Sequence, residues 1–292
     1  MRKFLYVALK LFFISILILI VLDIIYTAIY YHPKYHRNKV SWIKSFDEGQ
    51  NFNYAVFGSS RAYFHINPKQ IALETGQIGV NLAYPACTNF EIKLMVKTFL
   101  DECYANKIFI QIDKVYNVES IDQLAIVPWI PFFREPKIYE DIKAYDSLAV
   151  FKKYVPFYRY MFYDSKLGFR ELSMTFLNNN KFENDLGFYG AEGIMAKDSN
   201  FVIKPLKNEL NKHLKEIIDL CKEKEVTCYF FTAPYFNTEF CTQVLKEQLP
   251  NYFDFSDSVS DKNLFMDYQH LNIYGAEKFT SIFVKAYFEN TY

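Results

Sequence analysis

The hydrophobic pattern begins with a long apolar run near the start of the chain. Residues 11–31 are almost continuously apolar, and as a helix they would span about 30 Å, the thickness of a bilayer core. A secretory signal has a shorter apolar run and a small-residue cleavage site, whereas this run continues through Ile24 and Tyr30. The pattern therefore predicts an uncleaved N-terminal membrane anchor over residues 1–31.

One acidic residue, Asp23, interrupts this run. An ionisable side chain is costly in a bilayer and often marks a polar contact with another membrane segment. Alternatively, Asp23 lies near the interface and its carboxylate reaches water. Basic residues stand on both sides of the run, at Arg2, Lys3 and Lys10 before it and at Lys34, Arg37 and Lys39 after it. Their near balance leaves the membrane orientation open on charge alone.

The rest of the chain has the pattern of a linker followed by one α/β domain. Residues 32–50 are polar and basic, which is typical of a tether, and residues 51–292 have the length of one domain. Four short apolar runs in this domain have the character of buried strands that end in turns. They are Asn53–Phe57, Ile78–Ala83, Lys107–Asp113 and Val226–Ala233.

Helical patterns alternate with these strands. Apolar residues recur at helical spacing over residues 90–102 and 206–224. The alternation predicts an α/β fold with a central parallel sheet covered by helices on both faces, and such sheets bind ligands at the carboxyl ends of their strands. Ser60 follows the first predicted strand, so we expect it at that edge of the sheet.

The alternation is interrupted at about residues 114–204, a stretch that is long for a crossover and predicts an inserted subdomain. The stretch is rich in aromatic residues, including Trp129, Phe132, Phe133, Tyr154, Phe157, Tyr158, Tyr160, Phe162 and Tyr163. Aromatic rings suit ligand pockets and membrane interfaces, so the insertion could bind an acyl chain or a sugar, or rest on the membrane. The alternative is that the rings only pack a small core of their own.

Composition narrows the classes of function. The 292 residues include 33 basic and 33 acidic residues, so no large electrostatic field favours nucleic acid as a partner. The five cysteines form no CxxC pair and have no metal-site spacing, and at least one is unpaired within the monomer because their number is odd. Cys221 and Cys228 fall on a predicted helix and strand, where we expect them to be buried as small hydrophobes.

Two short polar stretches contain residue types that suit acyl chemistry. Gly58-Ser59-Ser60-Arg61 follows the first strand, and Asp267-Tyr268-Gln269-His270-Leu271-Asn272 precedes a helical pattern that Asn272 can cap. A serine becomes a good nucleophile when an imidazole takes its proton and a carboxylate fixes the tautomer of that imidazole. Asp267 stands three residues before His270, from where it can reach Nδ1 and leave Nε2 facing a serine. Taken singly, each stretch is also what an ordinary turn or a surface histidine provides.

These stretches resemble the first and last motifs of the SGNH, or GDSL-like, hydrolase superfamily. That family places Gly-x-Ser after its first strand and Asp-x-x-His near the end of the domain, and both stretches match in order and position. The resemblance spans residues 51–292 and implies a three-layer, flavodoxin-like α/β sandwich. It also implies that Ser60 is the nucleophile, His270 the general base and Asp267 the acid that orients it, a chemistry that uses no cofactor and no metal.

The two middle motifs of the family are altered in this chain. The second commonly reads Asn-x-Gly-x-x-Gly, whereas residues 81–86 read Asn-Leu-Ala-Tyr-Pro-Ala, so the resemblance places the backbone N–H of Ala86 with that of Ser60 in an oxyanion hole. The third normally supplies an asparagine, where this chain has Asp113 and, four residues later, Asn117. An ionised carboxylate donates no hydrogen bond. Either Asn117 completes the oxyanion hole, or Asp113 has another role, or activity is low.

Arg61 and Asp113 are the candidate substrate-binding residues. Arg61 directly follows the serine and either binds a carboxylate or phosphate of a substrate or pairs with a nearby acid. Asp113 ends the third predicted strand, so we expect both residues at the carboxyl edge of the sheet.

Two functions follow as hypotheses. The resemblance implies a membrane-anchored serine esterase or O-acyltransferase that acts on an envelope glycan or related polymer through an acyl-enzyme on Ser60. Anchored members that modify surface polysaccharides or teichoic acids resemble partners of multi-span acyltransferases, which implies such a membrane partner and an extracytoplasmic domain. The alternative is a binding or scaffold module of a surface-polysaccharide pathway that has kept the fold and lost catalysis.

Overall fold

The structure is a computed structural model that describes residues 1–32, 34, 38–162, 168–177, 181–196 and 201–289. Arg37 and Tyr163 lie outside the described residues, as do parts of the predicted tether and insertion. The α-helices are α1 (Arg2–Tyr31), α2 (Lys39–Ile43), α3 (Ser60–His65), α4 (Pro68–Thr75), α5 (Asn89–Glu102), α6 (Pro136–Ile142), α7 (Ala149–Tyr154), α8 (Tyr158–Phe162), α9 (Phe169–Leu177), α10 (Lys181–Asn184), α11 (Lys212–Glu223), α12 (Gln243–Gln248) and α13 (Ile273–Val284). The strands are β1 (Gln50–Phe57), β2 (Gly79–Asn81), β3 (Cys103–Gln111), β4 (Phe201–Val202), β5 (Thr227–Thr232), β6 (Thr238–Glu239) and β7 (Tyr252–Asp254). Shorter 3₁₀ turns span Val127–Phe132 and Lys262–Leu264, and a π-helical turn spans Lys285–Glu289.

The chain divides into two units, each described by itself. The first comprises Met1–Ser45 and Ile126–Asn179, and the second comprises Phe46–Ala125 and Asn180–Tyr292. The central aromatic part of the predicted insertion therefore belongs to the same unit as α1. The two flanks of the insertion belong to the unit that contains the sheet.

The second unit is built on a sheet of five parallel strands in the order β2-β1-β3-β5-β7. The predicted α/β fold with a central parallel sheet is confirmed, and the four predicted strands correspond to β1, β2, β3 and β5. Because β2 and β3 lie on opposite sides of β1, the strand order reverses there. In parallel sheets such a reversal opens a crevice beyond the carboxyl ends of the strands.

Helices cover both faces of this sheet because successive strand residues point to opposite sides. Tyr54 and Val56 of β1 enter a core with Phe279 of α13, and α13 also packs against α3 and α4. On the other face, Phe57 contacts Phe99 of α5 edge to face, with ring centroids 5.6 Å apart, and α11 lies against α5. Buried apolar residues thus fix the carboxyl end of β1 from both sides.

Polar caps set the ends of the helices near the predicted site. Asn272 caps α13 as predicted, since its side chain accepts a hydrogen bond from the Gly275 N–H at 3.1 Å. Asn211 caps α11 in the same way through the His213 N–H at 3.0 Å. The helix predicted from residue 206 therefore begins later than expected, because the cap at Asn211 requires extended backbone before it.

Helix α1, with 30 residues, belongs to the first unit and is long and apolar enough to cross a membrane. The predicted tether is in part helical, because α2 begins with a capping box formed by Asn38 and Ser41 and its residues are buried. In the insertion, Trp129, Phe132, Phe133 and Tyr160 are buried, whereas Tyr154 and Phe162 are exposed. The aromatic residues therefore form a core, but several of them face outward.

Asp23 is the polar centre of this unit and is only 2% exposed. Its carboxylate accepts hydrogen bonds of 2.9 Å from Nη2 of Arg159 and from Nη1 of Arg134. It also accepts one of 2.7 Å from the Phe157 N–H. Of the two alternatives for Asp23, exposure to water is wrong. The polar contact comes from the insertion, which binds α1 through this carboxylate.

Candidate active site

Ser60 lies at the carboxyl end of β1, on the first turn of α3. Gly58 makes the turn between these elements with a φ of 151°, and a Cβ atom there would lie 2.8 Å from Cβ of Gln111. Only glycine therefore allows β1 and β3 to approach at this point. Ser59 is the N-cap of α3, so Ser60 is the first residue of this helix.

The structure brings Ser60, His270 and Asp267 together. Ser60 Oγ lies 2.8 Å from His270 Nε2, and His270 Nδ1 lies 2.8 Å from Asp267 Oδ2. The Asp267 carboxylate also accepts the backbone N–H groups of Gln269 and His270 at 2.8 Å and 3.0 Å. Because a carboxylate accepts at Nδ1, the imidazole carries its proton there and Nε2 is free to accept the serine proton.

Electrostatics keep the Asp267 carboxyl ionised. Partial burial opposes ionisation, but the hydrogen bonds from His270 and from the Gln269 N–H, together with the charge of His270, hold the pKa of Asp267 below its ordinary value. The carboxylate is therefore negative at neutral pH. A negative group at this position stabilises the imidazolium that forms when His270 takes a proton.

His270 is held from the side by residues of α3. Its ring meets the Phe64 ring edge to face at a centroid distance of 5.4 Å. His65 is fully buried, and its Nε2 accepts a hydrogen bond of 2.9 Å from the Leu271 N–H. The sequence pattern does not predict a role for His65, whose only signal is a histidine five residues after the serine.

The pKa of His65 gives a test of this support. Burial, followed by the charges of Arg61 and His270, lowers the pKa of His65 well below its ordinary value. The unfolded chain then binds a proton that the folded chain does not, so the stability contributed by neutral His65 is full above pH ~6.5 and falls as the pH drops below it. We expect the gap in stability between wild type and His65→Gln to narrow by at most about 1.4 kcal/mol per pH unit in this window. Urea unfolding of both proteins at pH 7.5, 6.5 and 5.5 measures this gap. A gap in the free energy of unfolding that stays the same at all three pH values would show that His65 is not held neutral in the folded protein.

Arg61 and Asp113 do not line the site, and their predicted role in substrate binding is wrong. Both side chains are 1% exposed. Arg61 Nη1 donates to Asp113 Oδ2 at 2.8 Å, and Nη2 donates to the carbonyl groups of Ala233 and Pro234. The guanidinium also lies 3.4 Å from the centre of the Tyr235 ring. Of the two alternatives for Arg61, pairing with a nearby acid is therefore the one observed.

Gln111 connects this ion pair to the serine loop. Its Nε2 donates to Asp113 Oδ2 at 2.7 Å, and its Oε1 accepts from the N–H and the hydroxyl of Ser59 at 3.1 Å and 3.0 Å. The sequence signal for this role is a polar residue inside an otherwise apolar strand. Asp113 thus acts through Gln111 on the backbone that carries Ser60, which explains why a carboxylate stands at this position.

Asn117 is not placed to complete an oxyanion hole. Its Nδ2 donates to the Pro205 carbonyl at 3.2 Å, and its Oδ1 accepts from the Lys207 N–H at 2.8 Å. These bonds fix the segment that precedes α11. The predicted oxyanion role of Asn117 is therefore wrong, since its amide binds the backbone of residues 205–207.

Ala86 has a backbone conformation that glycine adopts more readily than alanine. Its φ is 68°, in the left-handed region that costs a non-glycine residue about 1–2 kcal/mol, and the residue is exposed. Asn81 holds the start of this loop through its Nδ2, which donates to the carbonyl groups of Ala62 and Ile66 at 2.8 Å and 2.9 Å. The Tyr84 N–H binds the Gly58 carbonyl at 3.3 Å, so the loop lies against the serine turn.

Neither a metal-binding cluster among the described residues nor a known family points to a function for this chain. Among the residues that the structure describes, no group of three or more His, Cys, Asp or Glu side chains is arranged to hold a metal ion. The chain matches no known protein-family model, and no curated protein matches it in sequence. The geometry around Ser60 is accordingly the basis on which a function can be assigned.

Proposed function

We propose that the protein is a membrane-anchored serine esterase or O-acyltransferase that acts on an acyl group of an envelope glycan or polymer. One observation carries the proposal: two hydrogen bonds of 2.8 Å link Ser60 to His270 and His270 to Asp267. Groups in this order activate a serine for attack on an ester. Helix α1, which is long and apolar enough to cross a membrane, supports the anchor, and the proposal places the domain on the extracytoplasmic side.

The proposal includes an SGNH-type fold, a three-layer flavodoxin-like sandwich. The strand order of the sheet supports it, because flavodoxin-like sheets have the same sequence of neighbours. The positions of the nucleophile after the first strand and of the Asp-His pair before the last helix support it further. In transfer, the acyl group would come from or pass to a multi-span membrane acyltransferase.

The chemistry follows from the three side chains. Ser60 Oγ attacks the ester carbonyl carbon while His270 Nε2 takes the hydroxyl proton, and Asp267 stabilises the imidazolium. Collapse of the tetrahedral intermediate breaks the ester bond, and the leaving alcohol takes the proton from His270. The acyl group remains on Ser60 until water releases it as an acid or a sugar hydroxyl accepts it as a new ester.

Backbone N–H groups are the donors available to the oxyanion. Ser60 is the first residue of α3, and the N–H of a first helical residue has no partner inside the helix. The Ala86 loop lies against the serine turn, and its left-handed backbone suits the glycine that the proposed family commonly has at this position. Two backbone donors suffice for an oxyanion hole when they are preorganised.

Aromatic side chains beside His270 favour a sugar as the leaving group or acceptor. Tyr189 is 52% exposed and stacks on Tyr63 with ring centroids 5.5 Å apart. Phe64 contacts both Tyr189 and His270, at centroid distances of 5.8 Å and 5.4 Å. Tyrosine combines an apolar ring face with a polar hydroxyl, which suits the faces and edges of a pyranose.

Replacing Tyr189 with alanine tests this surface. We expect KM for an acylated oligosaccharide to rise about tenfold, equivalent to about 1.4 kcal/mol of lost binding, with kcat/KM for p-nitrophenyl acetate unchanged. Steady-state kinetics on both substrates measure the difference. Tyr104→Ala is the matched control, because Tyr104 is exposed at the amino end of β3. Equal losses on both substrates would mean that Tyr189 only supports the fold.

A scaffold or binding module of a surface-polysaccharide pathway is the second candidate. It is favoured by the side chains that fail to reach the oxyanion: Asp113 is paired with Arg61, and the Asn117 amide is bound to residues 205–207. Loss of one oxyanion donor raises the barrier by about 2.7–4 kcal/mol. This candidate predicts the same fold with no turnover.

Acyl release from a natural type of substrate distinguishes the two candidates. Full-length protein in detergent is incubated with an acetylated oligosaccharide, with and without an acceptor sugar, and the products are identified by mass spectrometry. The enzyme proposal predicts release or transfer of acetate that Ser60→Ala reduces by at least ~10³-fold. Equal product from wild type and Ser60→Ala would contradict it.

A further inference from the structure

The first unit exposes apolar side chains on consecutive helices of the insertion. The outward residues are Val150, Phe151 and Tyr154 on α7 and Met161 and Phe162 on α8. We call these five residues the outer apolar face. Soluble monomers rarely expose so many large apolar groups together, and a contiguous patch of this kind marks a site of contact with protein or membrane.

Ring contacts join α7 and α8 into one surface. The Phe151 and Tyr158 rings lie 6.2 Å apart, and the Tyr158 and Phe162 rings lie 6.3 Å apart. The ammonium group of Lys152 lies 4.3 Å from the centre of the Phe162 ring, while its charge is neutralised by Asp146 at 2.6 Å. The Lys152 cation thus covers one side of the Phe162 ring. Lys153 places a second ammonium group 5.4 Å from the centre of the Tyr154 ring, so a charge stands at the edge of the outer apolar face, as at an interface with lipid headgroups.

Exposure of apolar groups is not a general property of this unit. Helix α6 turns Lys137 and Glu140 outward, and Glu140 forms an ion pair with Lys143, the exposed residue that follows the helix. The neighbouring helix α7 contacts α6, yet its outward residues are apolar. The unit is therefore amphipathic, with a charged side on α6 and an apolar side on α7 and α8.

The outer apolar face begins where the exposed apolar surface of α1 ends. Phe157, in the turn between α7 and α8, donates its N–H to Asp23 and packs edge to face on Tyr26 at a centroid distance of 4.8 Å. Most side chains of α1 before Tyr26 are exposed and apolar, up to Ile24 and Ile25. The turn between α7 and α8 therefore packs against α1 where the exposed apolar surface of α1 ends.

The position of Asp23 along α1 determines the depth at which this surface meets the bilayer. From Phe4 to Asp23 the helix rises by about 28 Å at 1.5 Å per residue, close to the ~30 Å thickness of a hydrocarbon core. Asp23 would therefore stand at one boundary of the bilayer that α1 crosses. Arg134, which binds Asp23 and is 42% exposed on its side chain, suits the level of lipid headgroups.

We propose that the outer apolar face is a monotopic membrane contact, in which α7 and α8 lie in the interface of the same bilayer that α1 crosses. This inference rests on the anchor in the proposed function and not on catalysis. Amphipathic helices in such a position bury their apolar side about 5–10 Å below the headgroups. The lipid surface is the occupant because the turn between α7 and α8 packs against α1 where its exposed apolar surface ends, and because the face carries aromatic residues suited to interfaces.

Fluorescence quenching by brominated lipids tests the contact. Full-length Phe151→Trp and Phe162→Trp are reconstituted in vesicles whose acyl chains carry bromine near the headgroup end, and the signal of wild type, from Trp42 and Trp129, is subtracted. We expect quenching at both positions to exceed that of Glu140→Trp, on the charged side of the same unit, by at least about twofold. Ile14→Trp, in matched vesicles whose acyl chains carry bromine near their methyl ends, reports insertion of α1, because Ile14 lies near the middle of the span.

The possible outcomes separate this inference from the proposed function. If Ile14→Trp is quenched and the Phe151→Trp and Phe162→Trp signals equal that of Glu140→Trp, the outer apolar face does not touch lipid and the inference is overturned. This result would indicate that the outer apolar face binds a protein partner. If Ile14→Trp is not quenched, the anchor fails and the inference fails with it. Esterase activity of the same vesicles, measured in parallel, is unaffected by either result.

Discussion

Replacing His270 with alanine is expected to lower kcat for ester cleavage by at least ~10³-fold, because Ser60 then has no base to take its proton. The fold should persist, since His270 lies partly exposed at the carboxyl edge of the sheet and its removal leaves no buried charge. Asp267→Asn should slow the reaction by about 10²–10⁴-fold by favouring the wrong tautomer. Stopped-flow assays with p-nitrophenyl acetate measure both rates.

Two controls make this result interpretable. Thermal unfolding followed by circular dichroism should give wild-type curves for His270→Ala, which excludes loss of folding as the cause. Gln269→Ala changes a neighbouring residue of the same turn whose side chain binds Lys114 rather than the imidazole, and its rate should stay close to wild type. A folded His270→Ala that retains wild-type turnover would defeat the assignment of His270 as the base.

Replacing Asp23 with asparagine is expected to produce the largest loss of stability. Arg159 is fully buried and donates to Asp23 through both Nη1 and Nη2. Removing one partner of a buried ion pair leaves an uncompensated charge and costs about 3–5 kcal/mol. We therefore expect the insertion to detach from α1, with rapid proteolysis after residues of the insertion, while the sheet unit remains folded.

The matched variant is Arg134→Gln. Arg134 binds the same carboxylate, but its side chain is 42% exposed, so its loss should cost about 1 kcal/mol or less. Limited proteolysis of the detergent-solubilised chain, with fragments identified by mass spectrometry, measures both effects. Equal proteolysis of Asp23→Asn and Arg134→Gln would show that the buried pair with Arg159 does not hold the insertion.

Local patterns were sufficient to predict the elements that build the sheet. Runs such as Asn53–Phe57 and Val226–Ala233 are apolar because their residues are buried on both faces, and burial of this kind is readable from sequence. The cap at Asn272 was predictable for a similar reason, since capping depends on residues three positions apart. Strand β7, with only three residues, is too short for such a pattern and was missed.

The partners of buried polar residues could not be predicted. Arg61 contacts Asp113 and Gln111 lies between Asp113 and Ser59, but these residues are about 50 positions apart in sequence and meet only through the register of β1 and β3. Asn117 was misassigned for the same reason, because residues 205–207 reach it through tertiary packing. Asp23 could be recognised as costly in an apolar run, but its partners on the insertion could not.

Covalent labelling shows whether Ser60 is an activated nucleophile. Full-length protein is treated with a fluorophosphonate, digested, and mapped by tandem mass spectrometry. We expect one adduct on Ser60 that Ser60→Ala abolishes, His270→Ala strongly reduces and Ser59→Ala leaves in place, because the Ser59 hydroxyl is buried against Gln111. A wild-type chain that is not labelled, or labelling that persists unchanged in Ser60→Ala, would contradict an activated serine at this site.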